Sequence, residues 1–387
     1  MIKCKYCNQV SGINRSGKLR EVQRYFCKHC EKYFTLSANS KNNSENKTVI
    51  TIKDLAKEIG VSISTISRAL NGSKEIKEET RNLIIKKAEE LNFHKNEIAA
   101  SLVKRHTSLI GIIVPELHAN FYINIINGAD EIFKEKGYKI ITMQSNDSYK
   151  NEIENINTLL SIRVDGIIAS TTFETFEFKH FEKAKEKNIP IVLFSRINDS
   201  IECPKIVVDN YKGACMAVKH LLEMDYRKIG YIGLGKNFHI GNLRYQGYVD
   251  TLAEFKIKLT SKWIIRSDDL LTEKTKMIDS FLKIKDRPEA IFTMSDHIGI
   301  EVIKSAKSMG INIPNEIGVI GFSDHIVSEF INPSLSTIRQ PTKEIGKEVA
   351  RRMLRAIDNK NDKNYIDNTT TFFNPELIFR ESTALVK

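Results

Sequence analysis

The sequence TIKDLAKEIGVSISTISRALN, residues 51–71, decides how the first part of this chain folds. Two short helical patterns, each with its apolar residues on one face, flank a turn at Gly60. Ala56 is small where the two helices must nearly touch, and Ile66 closes the core. This Ala-x3-Gly-x5-Ile spacing predicts a helix-turn-helix whose second helix lies in the DNA major groove. The alternative is an ordinary helical hairpin inside a larger core.

The outer surface of the second helix carries short hydroxyl side chains and one long cation. Hydroxyls can bind phosphates and base edges, and the guanidinium of Arg68 can pair bidentately with guanine. Because Ile63 offers only apolar contact and the Ser64 hydroxyl does not discriminate between bases, we expect Arg68 to supply most of the sequence preference. Thr51 is also the predicted N-cap of the first helix. The candidate DNA-binding residues here are Thr51, Ser62, Ile63, Ser64, Thr65, Ser67, Arg68 and Asn71.

A third helix is predicted over residues 78–91, with Leu83, Ile84, Ala88 and Leu91 at helical spacing.

The charge of the chain is very unevenly placed. Of 387 residues, the first 106 carry 21 Lys/Arg against 11 Asp/Glu, and the remaining 281 carry 38 against 37, for a total of +11. A basic head on a neutral body points to nucleic acid at one end. The sequence has no run of about 18 apolar residues and no hydrophobic N-terminal segment. We therefore expect a cytoplasmic protein of two or three domains.

Four of the six cysteines form two pairs of the CxxC type. Cys4-Lys-Tyr-Cys7 is followed after 19 residues by Cys27-Lys-His-Cys30, a spacing that can place four thiolates around one structural zinc ion. A segment this short has too little core to fold without the metal. Redox-active or idle pairs are the alternative, and His29 could replace Cys30 as a ligand. The singletons Cys203 and Cys215 are expected to be structural.

Basic residues are interleaved with aromatic residues around these cysteines. The segment CKYC…QRYFCKHCEKYF resembles the N-terminal zinc ribbons of transposase-type DNA-binding proteins. The charge of this segment is consistent with phosphate contact, and docking of another protein is the alternative. Residues 38–48, ANSKNNSENKT, are polar and without periodicity, which predicts a flexible linker.

Three stretches, TIKDLAKEIGVSISTISRALNGS, KAEELNF and the segment that follows them, resemble the lactose-repressor (LacI/GalR) family of transcription regulators. The resemblance implies a homodimer whose hinge helices insert a leucine into the minor groove and kink the operator. That leucine matches Leu102, with Ala99 beside it and Asn96 at the start of the hinge. Lys95 stands where proline is usual and Ala100 where arginine or glutamine is common. Leu102 could instead pack on the body.

Strand-like apolar runs alternate with helical stretches from residue 107 onward. Such runs, separated by helices, indicate parallel sheets covered on both faces, and about 280 residues suit two lobes with a cleft at the strand carboxyl ends. The resemblance continues through PSLSTIRQP and PELIFRESTA and implies the periplasmic-binding-protein-like (type I) fold. The predicted strands lie in SLIGIIVPE (108–116), KIITMQS (139–145), DGIIAS (165–170), PIVLFS (190–195), KIVVDN (205–210), KIGYIG (228–233), AIFTMS (290–295) and IGVIGFS (317–323).

The family match places Phe121, Ser195, Arg196, Arg244 and Asp296 at the effector-binding cleft, each just past a strand or at a helix start. Aromatic faces and paired charges are suited to a polyol. Ser195 stands where aspartate is common, so the two arginines could favour a sugar acid or sugar phosphate. A surface salt bridge is the alternative for any one of these charged residues.

The stretch from Gly230 to Asn237 nearly fits a phosphate-binding loop but lacks the hydroxyl that holds magnesium. No other spacing suggests catalysis. A solute-binding protein for transport and a nucleic-acid-processing enzyme are rival interpretations, and an activator is the alternative to a repressor.

The sequence therefore predicts a ligand-responsive, DNA-binding repressor of carbohydrate-utilisation genes that is not an enzyme. Its partners are expected to be duplex operator DNA, a sugar or sugar-derived effector and a second copy of the chain. The predicted organisation is a zinc ribbon (1–37), a linker (38–48), an all-α helix-turn-helix domain (49–94), a hinge helix (95–106) and a two-lobed α/β body with parallel sheets (107–387).

Overall fold

The structure is a computed structural model that describes residues 2–19, 22–35, 50–93, 106–117, 120–197, 200–235, 238–362 and 365–384. Its contacts divide the chain into two units, Met1–Asn96 and Glu97–Lys387. The predicted linker at 38–48 lies outside the described residues, as does the predicted hinge helix apart from His106.

The first unit opens with a small antiparallel sheet. Its strands are β1 (Ile13–Leu19), β2 (Val22–Cys27) and β3 (Lys32–Thr35), in the order β1-β2-β3. Alternate residues of a strand face opposite sides of a sheet, so Tyr25 and Phe34 are paired and buried on one side, against Cys4 and Cys27. These four residues make up the whole buried core of the described ribbon, which is very small for an independent fold.

Three helices follow: α1 (Ile52–Ile59), α2 (Ile63–Leu70) and α3 (Glu78–Glu90). Thr51 and Asp54 form a capping box at the start of α1, in which each side chain accepts a hydrogen bond from the other residue's backbone N–H. Gly60 ends α1 at φ +75°, a conformation that favours glycine, and its N–H lies 3.0 Å from the carbonyl oxygen of Ala56. The predicted helix-turn-helix is therefore present.

The helical core consists of six buried side chains, two from each helix: Leu55, Ala56, Ile66, Ala69, Ile84 and Ala88. Leu83, one of the apolar residues at helical spacing in α3, lies outside this core and is 57% exposed. Leu83 and Ile84 are consecutive and point about 100° apart on α3, and Ile84 is the one that faces the core.

The first lobe of the body consists of parallel strands with helices on both faces. Its sheet has the order β14-β8-β7-β6-β4-β5. Along the chain, the elements are β4 (Leu109–Val114), α4 (Asn120–Glu135), β5 (Lys139–Gln144), α5 (Tyr149–Ser161), β6 (Gly166–Ala169), α6 (Lys179–Glu186), β7 (Ile191–Phe194) and β8 (Lys205–Val208).

The second lobe repeats this arrangement around the sheet β10-β9-β11-β12-β13-β15. Its elements are α7 (Asn210–Glu223), β9 (Ile229–Gly233), α8 (His239–Glu254), β10 (Ile264–Arg266), α9 (Lys274–Leu282), β11 (Ala290–Thr293), α10 (Asp296–Ser308), β12 (Gly318–Ser323), α11 (Val327–Phe330) and β13 (Ser336–Arg339). The chain then returns to the first lobe for α12 (Thr342–Asp358) and β14 (Thr370–Phe373), and ends on β15 (Glu376–Ile378).

The chain therefore crosses between the lobes three times, at residues 208–210, 339–342 and 373–376. The long return helix α12 is fixed to the first lobe by a close crossing with α4. A Cβ atom on Gly128 would lie 2.2 Å from the carbonyl oxygen of Lys343, so only glycine permits this approach. The predicted α/β body with two parallel sheets is confirmed, with β15 as the antiparallel exception.

Candidate functional site

The surface of α2 that the sequence assigned to DNA is open to solvent in the described head. Ser62, Ile63, Ser64 and Arg68 are exposed, and Ile63 is 45% exposed although it is apolar. Ser62 is also the N-cap of α2: its Oγ lies 3.1 Å from the backbone N–H of Thr65, which donates to it. A short helix with a fixed start and an exposed N-terminal face has the shape needed to enter a major groove.

Some of the predicted DNA-binding residues of the head already form a hydrogen bond or an ion pair within the protein. The Thr51 hydroxyl donates to the Asp54 carboxylate over 2.6 Å, so it is engaged in the helix cap. Arg68 forms an exposed ion pair with Glu75, with 3.1 Å between Nη1 and Oε2. Thr65 and Ser67 are half-buried and Asn71 is exposed. Asn96, Ala99 and Leu102 lie outside the described residues.

The four paired cysteines converge in the ribbon. Their sulfur atoms all lie within 4.8 Å of one another, and Cys4–Cys30 and Cys7–Cys27 are each separated by 3.6 Å. A tetrahedral zinc ion with bonds of about 2.3 Å to sulfur requires its ligands to be about 3.8 Å apart, so this donor set fits the metal. His29 is engaged elsewhere, with Nε2 3.3 Å from the Ser11 hydroxyl.

A cavity of about 360 Å³ lies between the two lobes of the body. This volume falls in the range of about 300–1,000 Å³ that is usual for small-molecule sites. Both lobes contribute residues that follow the carboxyl ends of their strands, where ligands bind in open parallel sheets. All five residues that the sequence assigned to the effector line this one cavity: Phe121, Ser195, Arg196, Arg244 and Asp296.

Arg244, on α8, is the most deeply buried cation of the cavity. Its Nε and Nη2 groups donate to Asn210 Oδ1 over 2.9 and 2.8 Å, and Nη1 donates to the carbonyl oxygen of Met294. Its guanidinium also stacks on Phe322 at 3.6 Å from the ring centroid. Burial lowers the pKa of Arg244 to about 9, so the group remains charged at neutral pH. Three of its five donors are engaged, which leaves two for a ligand.

Arg196 comes from the first lobe, at the end of β7. It forms an ion pair with Asp147 and stacks on Phe173, 3.7 Å from the ring centroid. Phe173 in turn packs edge-on against Phe238 of the second lobe, with 4.3 Å between the ring centroids. This aromatic contact joins the two lobes beside the cavity, and Arg196 sits against it.

Asp296 begins α10 and is almost fully buried. Its Oδ2 accepts hydrogen bonds from the backbone N–H of His325 at 2.6 Å and the hydroxyl of Ser328 at 2.8 Å, and its Oδ1 accepts one from Thr337 at 2.5 Å. Burial raises the pKa of this carboxyl group, while these three donors oppose that effect. Since a carboxylate has about four acceptor positions, at most one remains for a ligand.

Sequence reasoning missed several groups that the cavity depends on, including Asn210, Asp147, Phe173 and Phe238. Asn210 is buried and is the last residue of the predicted run KIVVDN, so its position could have been noticed. Asp324 and Arg339 also line the cavity and form a 2.7 Å ion pair. No spacing in the sequence connects the members of such pairs, because they come from separate segments of the chain.

The phosphate-loop resemblance finds no support in the described part of that stretch. Gly230 and Gly233 lie inside β9 and are therefore parts of a strand, and Lys236 and Asn237 lie outside the described residues. Cys203 is buried, and burial raises the pKa of its thiol to about 11. Among the described helices, none combines the length and the apolar character needed to cross a membrane.

Two family models match this chain. The model for bacterial regulatory proteins of the lacI family matches residues 51–96, and a periplasmic binding protein-like domain matches residues 218–383. The ribose operon repressor of Haemophilus influenzae is 30% identical over 337 residues, which cover 87% of this chain and 99% of that protein.

Solved structures are similar over the same part of the chain. A lac repressor dimer bound to operator and the anti-inducer ONPF aligns with a TM-score of 0.75 at 20% identity, over 87% of this chain and 99% of that one. A periplasmic binding protein/LacI transcriptional regulator from Alkaliphilus metalliredigens complexed with D-xylulofuranose has a TM-score of 0.61 at 28% identity, over 72% and 100%. From the helix-turn-helix head to the second lobe, this chain belongs to the LacI family of bacterial regulatory proteins.

Proposed function

We propose that this protein represses carbohydrate-utilisation genes, binding operator DNA through α2 and a sugar in the cavity between the lobes. The observation that carries the proposal is that one chain contains both an exposed helix-turn-helix and a cavity lined by five family-matched residues. One relative is a ribose operon repressor, and one similar structure contains D-xylulofuranose. Its site of action would be the cytoplasm.

The charges around the cavity favour a neutral sugar over a sugar acid. Three arginines line it, Arg196, Arg244 and Arg339, and three carboxylates accompany them, Glu116, Asp296 and Asp324. Arg196 and Arg339 already form ion pairs, with Asp147 and Asp324. Among the three arginines, Arg244 is therefore the one with donors left for a hydroxyl oxygen. The rings of Phe121, Phe173 and Phe238 offer apolar surface to the sugar ring.

The two proposed sites must be thermodynamically coupled if the sugar regulates DNA binding. A sugar that contacts both lobes prefers the arrangement in which its partners on each lobe are correctly spaced. If that arrangement binds DNA less well, the sugar lowers DNA affinity, and DNA lowers sugar affinity by the same factor. A homodimer, as in the operator-bound lac repressor structure, would present two heads to a two-fold symmetric operator.

One zinc ion completes the proposal for the ribbon. Cys4, Cys7, Cys27 and Cys30 would hold it as thiolates in a closed site, where the metal stabilises the fold and takes no part in a reaction. The sulfur separations of 3.6 Å support this assignment.

A mobility-shift titration tests the function. DNA flanking the protein's own gene would be bound at fixed salt, because affinity for DNA depends steeply on salt, and footprinting would locate the operator. The complex would then be titrated with a panel of neutral sugars, sugar acids and sugar phosphates. We expect a specific shift that one neutral sugar weakens.

Three other results would change the proposal. A response only to acids or phosphates would overturn the assignment of a neutral sugar, and tighter DNA binding with the sugar would indicate a co-repressor. No specific complex on any fragment would overturn the DNA-binding function itself. The sugar should also be recovered unchanged by mass spectrometry, since the proposal assigns no reaction to the cavity.

A further inference from the structure

The basic charge of this protein is concentrated in front of the helix-turn-helix. Residues 1–49 carry ten Lys/Arg against three Asp/Glu, whereas residues 50–93 carry eight against seven. A zinc ion bound by four thiolates would remove two positive charges from the first segment and leave it basic. The head that is proposed to read DNA is therefore almost neutral, and the attraction for phosphates lies mainly in the ribbon segment.

The side of the ribbon sheet opposite its core carries an aromatic platform under a cation. Phe26 and Tyr33 are paired across β2 and β3, with 4.8 Å between their ring centroids. The guanidinium of Arg24 lies over Tyr33, 4.1 Å from the ring centroid, and Tyr33 is 47% exposed. Arg24 donates no side-chain hydrogen bond to a residue that the structure describes. A guanidinium that is already held by stacking has less conformational freedom left to lose when it pairs with a phosphate.

A second cation of the ribbon is held in a similar way. The ammonium group of Lys32 lies 5.3 Å from the ring centroid of Tyr6, which is 56% exposed. The described ribbon contains five further cations, and none of the seven forms an ion pair with a described carboxylate. The five are Lys3, Lys5, Arg15, Lys18 and Lys28.

This composition favours DNA over a protein partner. The centres of protein interfaces are enriched in tyrosine and arginine but depleted in lysine, and lysine supplies five of these seven cations. In this ribbon, the exposed rings of Tyr6 and Tyr33 each have a cation lying over them. Phosphate oxygens accept charge-assisted hydrogen bonds from such cations, and the bidentate geometry of arginine suits them best.

The length of the connecting segment limits where the ribbon can reach. Fourteen residues, 36–49, separate the last described ribbon residue from the head. Whatever their conformation, they span at most about 50 Å. At about 3.4 Å per base pair, this corresponds to roughly 15 base pairs beyond the head. The family model begins at residue 51, so the ribbon adds a feature to the matched head.

We propose that the ribbon is a second DNA-binding module, in which Arg24 and Lys32 contact phosphates of the duplex that flanks the operator. This inference rests on the proposed operator binding. The ribbon adds affinity for DNA without sequence preference. Because the ribbon is tethered to a bound head, even a weak phosphate contact becomes an intramolecular one.

The test compares two duplexes that contain the same operator, one trimmed to the footprint and one extended by about 15 base pairs on each side. Full-length, zinc-loaded protein is used throughout. We expect wild type to prefer the extended duplex and the variant Arg24→Gln/Lys32→Gln to lose about tenfold of that preference. The slope of log affinity against log salt on the extended duplex should fall by about two per chain. The control variant Lys183→Gln/Lys187→Gln removes two exposed charges from the body and should behave like wild type.

Zinc content, one ion per chain, verifies that each variant keeps the ribbon folded. If the double variant loses zinc, Tyr33→Ser alone serves instead, because it removes the platform under Arg24 and keeps every charge. An equal preference for the extended duplex in wild type and a zinc-loaded variant would overturn the inference, as would a ribbon that binds a protein and leaves flanking DNA untouched. Specific binding to the trimmed duplex tests the proposed function separately, so the two failures are distinguishable.

Discussion

The N-terminal unit and the body place their candidate binding groups in opposite ways. In the N-terminal unit, these groups are exposed on short elements with very small cores, such as the six buried side chains of the helical head. In the body, they line a cavity between two large lobes, and their partners come from distant segments. Arg244 and Asn210, for example, are 34 residues apart, and Arg196 and Asp147 are 49 apart. The first unit should therefore depend on local features and on a metal, whereas the cavity depends on the whole body.

Removal of the metal should give the largest difference between the N-terminal unit and the body. A chelator, or the substitution Cys27→Ser, is expected to unfold the ribbon, because its buried core of four residues is too small to be stable alone. The thermal unfolding of the body should not change. Limited proteolysis with mass spectrometry would follow residues 1–35, and metal analysis would give the zinc content. The matched control is Cys215→Ser, which alters a half-buried thiol of the body and should leave zinc in place. A protease-resistant ribbon without metal would contradict the assignment.

Substitution of Arg244 should have the next largest effect, on the cavity alone. Arg244→Ala removes two free donors and leaves Asn210 and the Met294 carbonyl without their partner. We expect sugar affinity to fall by about 3 kcal/mol, the scale of a buried charged hydrogen-bonding group, while affinity for DNA without sugar is retained. Calorimetric titration measures the first quantity and mobility shift the second.

A surface arginine provides the control for Arg244. Arg287 forms an ion pair with Glu316 on the outside of the second lobe, and Arg287→Ala should leave sugar affinity unchanged. Equal sugar binding by wild type and Arg244→Ala would remove Arg244 from the site.

Substitution of Arg68 tests the exposed face of the head. Arg68→Ala should cost about 1–3 kcal/mol of binding on operators with guanine at the contacted step, and less where that guanine is replaced. The control is Lys86→Ala, which removes an exposed cation from α3. Fluorescence anisotropy on the two operators would measure the difference. If wild type and Arg68→Ala discriminate equally between the operators, Arg68 does not read that base.

The smallest predicted effect concerns the partner of Arg68 in free protein. Glu75 competes with DNA for the same guanidinium, so Glu75→Gln should strengthen operator binding by about twofold at low salt. High salt should abolish the gain, because it screens the exposed pair. In the Arg68→Ala background, the same substitution should change nothing. A gain that persists without Arg68 would mean that Glu75 repels DNA directly.

Much of the fold could be predicted from the sequence, because the patterns that indicate its helices and strands lie within short segments. The eight predicted apolar runs each contain one strand of the body. Seven of these strands are almost entirely buried and therefore continuously apolar, and β5 at the edge of its sheet is the exception. The strands that were not predicted, β10, β13, β14 and β15, are short or polar. In β13, Ser336 and Thr337 are fully buried and satisfied by hydrogen bonds, among them the 2.5 Å bond from Thr337 to Asp296. Such burial depends on a partner from elsewhere in the chain, which periodicity does not show.

Only part of the candidate site could be predicted from the sequence. The five effector residues were placed by the family resemblance, and the structure brings them to one cavity. The partners that determine what each can bind were not foreseen, as with Asp147 beside Arg196 and Asn210 beside Arg244. Asp147 and Asp324 compensate the charges of Arg196 and Arg339, which favours a neutral ligand over an acidic one. Asn210, in contrast, is a neutral amide that only occupies donors of Arg244.

By itself, the sequence determined the helix-turn-helix, the pairing of the four cysteines and the alternation of strands and helices, since each depends on residues close together in the chain. Only the tertiary structure decided which charges meet in the cavity, which of its donors remain free, and which aromatic rings of the ribbon lie under a cation. The physical reason is that hydrogen bonds, ion pairs and stacking act over a few ångströms, and chain folding alone sets those distances between residues that are far apart in sequence.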